Sequence, residues 1–144
     1  MNRFLPYDPG VLPNLPAPQP GESIVIEVMG LPPIKDLRRS IRNRNHPLYS
    51  SFMLLRCAAI EAMAGRAWVF RPVELRVTIF GPTGQARWTM PDYLSGIFDT
   101  LDGSSGRTFT YLPIVYEDDC QVYAAQIEWV DAPETKYRVE VLFR

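Results

Sequence analysis

The sequence predicts a single α/β domain of the α+β kind, a mixed sheet with two helices packed on it. Three observations carry that expectation. The chain has 144 residues, 47% of them hydrophobic and 22% charged. That is the size and balance of one domain able to bury a core without disulfides or a structural metal. Apolar residues alternate with period two in four segments and recur at helical spacing in two others, giving the order β-α-β-α-β-β.

Residues 1–22 read as an arm and residues 23–144 as the domain. The arm holds Pro6, Pro9, Pro13, Pro16, Pro18 and Pro20. Proline fixes φ and removes a backbone donor, so the arm is extended, not helix or central strand. It is either disordered or laid along a partner subunit. Leu5, Tyr7, Val11, Leu12 and Leu15 give it apolar teeth that favour docking.

The first strand spans Ser23 to Met29, with Ile24, Ile26 and Val28 on one face, and Gly30-Leu31-Pro32-Pro33 ends it. A basic loop follows. Leu48, Phe52, Leu55, Ala59 and Ala62 mark a helix from Leu48 to Ala64, with Ser50 or Ser51 as the candidate cap and Gly65 at its end. Val73, Leu75, Val77 and Ile79 alternate in a second strand, closed by the turn Gly81-Pro82-Thr83-Gly84. Pro91 suits the first position of a helix running to Leu101, and Asp92 complements the positive end of its dipole. Tyr93, Ile97, Phe98 and Leu101 form its apolar stripe, and Asp102 to Gly106 reads as a flexible loop. Two more strands follow. Val122 to Val130 places Tyr123, Ala125, Ile127 and Trp129 on one face, and Tyr137 to Phe143 alternates likewise. The short turn between them suits an antiparallel hairpin.

Composition narrows the function. No run approaches the roughly 18 apolar residues of a membrane span. Met1 to Leu5 carries Arg3 with no apolar region behind it, so no secretory leader is expected. Cys57 and Cys120 are the only cysteines, which suits a reducing cytoplasm. Cys57 reads as core; Cys120 is either core, the commoner fate of a free cysteine, or adjacent to a site. A lone histidine, His46, excludes a dedicated zinc site and argues against a His-based triad. It reads as structural or exposed.

Net charge is −1 with a pI of about 5.8, which does not advertise nucleic-acid binding. The distribution says more. Lys35, Arg38, Arg39, Arg42 and Arg44, against Asp36 alone, give +4 between Lys35 and His46, so the remaining residues carry −5. This loop is the best candidate for phosphate contact, since arginine pairs phosphate bidentately; the alternative is a solvated surface loop. Trp68, Trp88 and Trp129 are candidates for base stacking. Trp129 reads as core, and Trp88 is the one closest to the motif described next.

Acidic residues gather at Asp92 and Asp99 on the second helix and at Glu117, Asp118 and Asp119 before a strand. A Mg²⁺-dependent nuclease needs carboxylates converging on one point, because the hard cation takes oxygen ligands. On spacing alone, solvated acids at element ends remain the commoner outcome.

The stretch Pro91-Asp92-Tyr93-Leu94-Ser95-Gly96-Ile97-Phe98-Asp99-Thr100-Leu101, followed by Val115-Tyr116-Glu117-Asp118-Asp119-Cys120-Gln121-Val122, resembles the RusA family of Holliday-junction resolvases. That family has Asp-x-Asp-Asn opening a helix that ends in Asp-Ala-Leu, then a loop and Tyr-Glu-Asp-Asp-x-Gln-Val. Leu31-Pro32-Pro33-x-Lys35 is similar to its Pro-Pro-x-Lys turn, and the likeness extends over residues 23–143. It implies a RusA-like fold and a homodimer that binds branched DNA and cuts it with Mg²⁺. It also implies three metal-holding aspartates, an assisting lysine, and a basic loop near the active site. Asp119 stands at one aspartate position. Aligning on Asp99 puts the other two on Thr89 and Pro91, the Asn on Asp92 and the lysine on Ser95. Two metal aspartates and the lysine are therefore replaced.

Asp92 and Asp99 lie two turns apart, about 10 Å along the helix, too far to share one Mg²⁺. A rebuilt site would rest on Asp92, Asp118 and Asp119, as catalytic and metal-holding residues. It requires the helix opened by Pro91 to bring its N-terminal end to the acidic pair. The resemblance thus leaves a Mg²⁺-dependent endonuclease or a catalytically inactive relative that binds DNA or serves as a protein-interaction or assembly module.

Overall fold

A computed structural model describes residues 12–105 and 110–144. The elements are β1 (Ser23–Met29), α1 (Tyr49–Met63), β2 (Val73–Gly81), α2 (Met90–Leu101), β3 (Ser104–Ser105), β4 (Thr110–Tyr111), a 3-10 turn η1 (Asp119–Gln121), β5 (Val122–Asp131) and β6 (Lys136–Phe143). The long strands form one mixed sheet in the order β1-β6-β2-β5, and β3 and β4 pair separately. β1 and β2 run antiparallel to β6, while β5 runs parallel to β2. This is the α+β domain the periodicities predict.

One connection differs from expectation. β5 and β6 do not form a hairpin; β2 lies between β6 and β5. The segment after β5 crosses the end of β2, where the Ala132 N–H donates to the Gly81 C=O at 2.9 Å. β2, α2 and β5 make a crossover unit, which places β5 parallel to β2. Turn length was compatible with a hairpin. Burial decides otherwise, because Val73, Leu75, Val77 and Ile79 are fully buried and hold the strand in the interior of the sheet.

Both helices cover one face. Ile24, Ile26 and Val28 of β1 and Tyr137, Val139, Val141 and Phe143 of β6 join β2 in a core with Leu55, Ala59 and Met63 of α1 and Tyr93, Ile97 and Leu101 of α2. α1 lacks the expected serine cap: Leu48 is the capping position and Ser50 and Ser51 lie inside the first turn. α2 begins one residue before the expected Pro91, at Met90, with Thr89 accepting from the Asp92 N–H and the Asp92 carboxylate accepting from the Thr89 N–H. Gly96 lies where α2 meets the Pro32-Pro33 turn; a Cβ there would stand 1.9 Å from the Pro33 carbonyl oxygen.

Of the face expected for β5 only Ile127 and Trp129 pack against the core, both half-buried; Ala125 is exposed, and so is Tyr123. The register slips between Val73↔Val122 and Glu74↔Ala124, so Tyr123 is the extra residue of a bulge. Cys57 is half-buried, against the expectation of core; of the two readings of Cys120 core does not hold, since it is exposed in η1 next to Asp119. No helix among the described residues is long and apolar enough to cross a membrane.

The described part of the arm, from Leu12 on, is tied down at several points. It docks on its own domain: the Asn14 and Leu15 N–H groups donate to the Gly65 C=O at 3.0 Å, and the Gly21 N–H to the Phe143 C=O at 2.8 Å. Pro6, Pro9, Leu5, Tyr7 and Val11 lie outside the described residues.

Candidate metal centre

The acidic pair is positioned by the segment the motif occupies. Tyr116 is fully buried, and its hydroxyl donates to the Phe98 C=O at 3.0 Å, tying the segment to α2. Asp118 caps η1, its carboxylate accepting from the Cys120 N–H at 3.1 Å. Gln121 closes the reciprocal bond by accepting from the Asp118 N–H at 3.0 Å. The Gln121 amide then donates to the Val69 and Arg71 carbonyls at 3.0 and 2.9 Å. Much of the Tyr-Glu-Asp-Asp-x-Gln-Val stretch is thus accounted for by local structure: an anchor, a cap and a clamp. Glu117 and Asp119 are the acids of the stretch that these contacts leave unexplained, and of the two only Asp119 joins the group described next.

Asp102, not Asp92, completes the group. Ligand oxygens of Asp102, Asp118 and Asp119 lie within 4.8 Å of one another. Asp102 follows the last residue of α2, so the C-terminal end of that helix meets the acidic pair. Asp92 stands about 15 Å away along the axis, at about 1.5 Å per residue, with its carboxylate used in the N-terminal cap. The expectation that α2 presents its first turn to Asp118 and Asp119 is therefore corrected. The crossover explains why: β2 and β5 are parallel, so α2 must run back to the end where β5 starts. In the sequence Asp102 opens what reads as a loop, which gives it no helix face to share. Its spacing of one turn from Asp99 was the available signal.

The three carboxylates sit in different environments. Asp102 is buried, and its carboxyl is pushed up to about 7, chiefly by burial, with Asp99, Asp119 and Asp118 adding to the rise and Arg42 opposing it. Burial also raises Asp119, as does the neighbouring Asp118 carboxyl, while Lys35 pulls it down. Asp118 is lowered, first by the Cys120 N–H. Such crowding of acids is what a hard cation relieves. An octahedral Mg²⁺ with bonds of about 2.1 Å spaces its oxygens by about 3–4 Å, so small side-chain rotations bring this donor set into range.

The basic loop borders the group. Lys35, Arg38, Arg39 and Arg42 line a surface hollow together with Asp99. Lys35, Arg38 and Arg39 are exposed, as is Arg44, which has contacts within the chain. Arg42 is not directed to solvent. Its guanidinium donates to Asp102 Oδ1 at 3.1 Å and to the Asp99 C=O, and lies 3.4 Å from Asp99 Oδ2. His46 is structural and buried: Nε2 donates to Asp36 at 2.7 Å, and Nδ1 accepts from the Leu48 N–H at 2.9 Å. That bond, with the Arg38 N–H, holds the Asp36 carboxyl down at about 2. Trp88 is partly exposed and packs edge-on against Tyr93, at the far end of α2. Trp129 is half-buried, and Trp68 lines a small apolar pocket beside the arm.

Fold and site together define a small α+β domain with a carboxylate centre at one end of its sheet. No protein-family model matches the chain, and no curated protein matches its sequence.

Proposed function

We propose that this chain is a RusA-like protein that acts on branched DNA, as a homodimer in the cytoplasm, and hydrolyses a phosphodiester with Mg²⁺. Asp102, Asp118 and Asp119 would hold the ion. The observation that carries this reading is the meeting of those three carboxylates beside the hollow lined by Lys35, Arg38 and Arg39. Cation-binding acids next to exposed phosphate-binding cations are the two parts such hydrolysis needs. Bound there, Mg²⁺ would polarise a phosphate and activate water. Lys35, Arg38 and Arg39 would orient the phosphate group, and Gln121 keeps Asp118 in place through η1. Of the family's three aspartate positions only Asp119 belongs to this set; Thr89 and Pro91 contribute nothing to it.

A second reading, a non-cleaving DNA-binding or assembly module, is favoured by Arg42. Its guanidinium already gives Asp99 and Asp102 an internal counter-charge. A four-way junction incubated with the protein and Mg²⁺ separates the two. Cleavage abolished by Asp119→Asn and by Asp102→Asn, with junction binding retained, supports the enzyme. Salt-sensitive binding without cleavage supports the module. Cleavage that survives both substitutions refutes this site.

A further inference from the structure

We infer that Arg42 couples the two halves of the site: its guanidinium holds Asp102 while no cation is bound there, and turns to a phosphate in the adjoining hollow when one is. The inference rests on the reading of Asp102, Asp118 and Asp119 as a cation site. Arg42 belongs to both halves. Its side chain lines the hollow with Lys35, Arg38, Arg39 and Asp99. Its Nη2 donates to Asp102 Oδ1 at 3.1 Å and to the Asp99 C=O, and its Nη1 lies 3.4 Å from Asp99 Oδ2.

The resting contact leaves part of the guanidinium unused. Arg42 Nε is buried and has no hydrogen-bond partner among the described residues, an unfavourable state for a donor. Nε and Nη2 share one edge of the planar group, an edge that can grip two oxygens of one phosphate. Charge points the same way. One guanidinium faces Asp99 and Asp102, with Asp118 and Asp119 beside Asp102. With a divalent ion on those acids, Arg42 would lose Asp102 as its counter-charge and meet a like charge next to it. The backbone need not follow. The Arg42 N–H donates to Ser40 Oγ at 3.1 Å, and its C=O accepts from the Tyr111 hydroxyl at 3.3 Å. The neighbouring Ile41 is buried with Phe52 and Tyr111. Asp99 lines the hollow as well, so a guanidinium that keeps Asp99 and releases Asp102 stays at the hollow's wall. Cation and phosphate would then bind with positive coupling, each tightening the other to the same degree.

The test follows Mn²⁺ affinity of the full chain by water-proton relaxation at rising sulfate, which stands in for phosphate, with chloride holding the ionic strength constant. Saturating sulfate is expected to tighten Mn²⁺ by about tenfold. Arg42→Gln should bind Mn²⁺ more tightly without sulfate and lose most of the gain that sulfate brings. Arg38→Gln, at an exposed position of the same hollow, is the control: it should raise the sulfate concentration needed and leave the size of the gain unchanged. Circular dichroism checks the fold of both variants. Should Arg42→Gln not fold, the Arg42 Nε–H resonance of the unsubstituted chain is read instead. Mg²⁺ with sulfate should shift it, and a resonance that neither moves overturns the proposal. A chain without any Mn²⁺ site removes the carboxylate centre and this coupling together. A Mn²⁺ site indifferent to sulfate, a gain retained in Arg42→Gln, or weaker Mn²⁺ binding in that variant removes the role of Arg42 and leaves the centre standing.

Discussion

The Arg42 guanidinium reaches out of the basic loop and hydrogen-bonds the Asp102 carboxylate at 3.1 Å. With the bonds of Arg42 to Asp99, this contact ties the basic loop to the C-terminal end of α2, across 60 residues of sequence. The Arg42 and Asp102 side chains are only 11% exposed, so the pair is held where water screens it little. Removing Arg42 takes away the counter-charge of Asp102 and Asp99 and the donor to the Asp99 carbonyl. Arg42→Met should therefore destabilise the fold by roughly 2–4 kcal/mol. Mg²⁺ should recover more of that loss than it adds to the unsubstituted chain. Urea unfolding with and without Mg²⁺ measures both.

Asp102 also sets a pH dependence. Its carboxyl ordinarily titrates at 3.8 and is raised to about 7 in the fold. Between those values the folded chain holds a proton that the unfolded chain has released. The Asp102 contribution to stability is thus fully present below about pH 4 and is lost as pH rises to about 7. Subtracting the unfolding free energies of Asp102→Asn from those of the unsubstituted chain should leave a difference that declines across that window. Saturating Mg²⁺ should shrink the decline. A flat difference in the absence of metal would contradict the burial of this carboxyl.

Gln121 is a positioning residue for the acidic pair. Gln121→Ala deprives the Val69 and Arg71 carbonyls of their donor and opens the η1 cap. The expected cost is about 1–2 kcal/mol in thermal or chemical unfolding. Mn²⁺ affinity should also fall by about tenfold or more, as it does for partners that orient ligands. Unchanged affinity would mean that η1 does not organise the centre.

Gly96 tests the packing of α2. Helix propensity alone would make Gly96→Ala stabilising by about 1 kcal/mol. The Pro33 carbonyl leaves no room for the added carbon, so the substitution should instead cost roughly 1–3 kcal/mol. A rise in melting temperature would show that α2 does not seat on the Pro32-Pro33 turn.

The parts of the fold that depend on local periodicity were legible in the sequence. β1 stands where the alternation places it, and α2 starts within one residue of Pro91. Strand partnership was not legible: a turn of hairpin length separates β5 from β6, and only the burial demand of β2 puts it between them. For the candidate centre, Asp118 and Asp119 could be read from their motif. The third acid could not, because choosing between Asp92 and Asp102 needs the direction of α2 relative to β5. Arg42 was legible as a charge but not as a buried one. Its partners, Asp99 and Asp102, are remote in sequence.

The direction of α2 makes the central claim decidable by one measurement, Mn²⁺ binding to the full chain followed by water-proton relaxation. A single Mn²⁺ site is expected that Asp102→Asn and Asp119→Asn each abolish and that Asp92→Asn leaves intact. Binding that persists in Asp102→Asn, or that disappears in Asp92→Asn, would place the cation elsewhere and contradict the centre built from the end of α2.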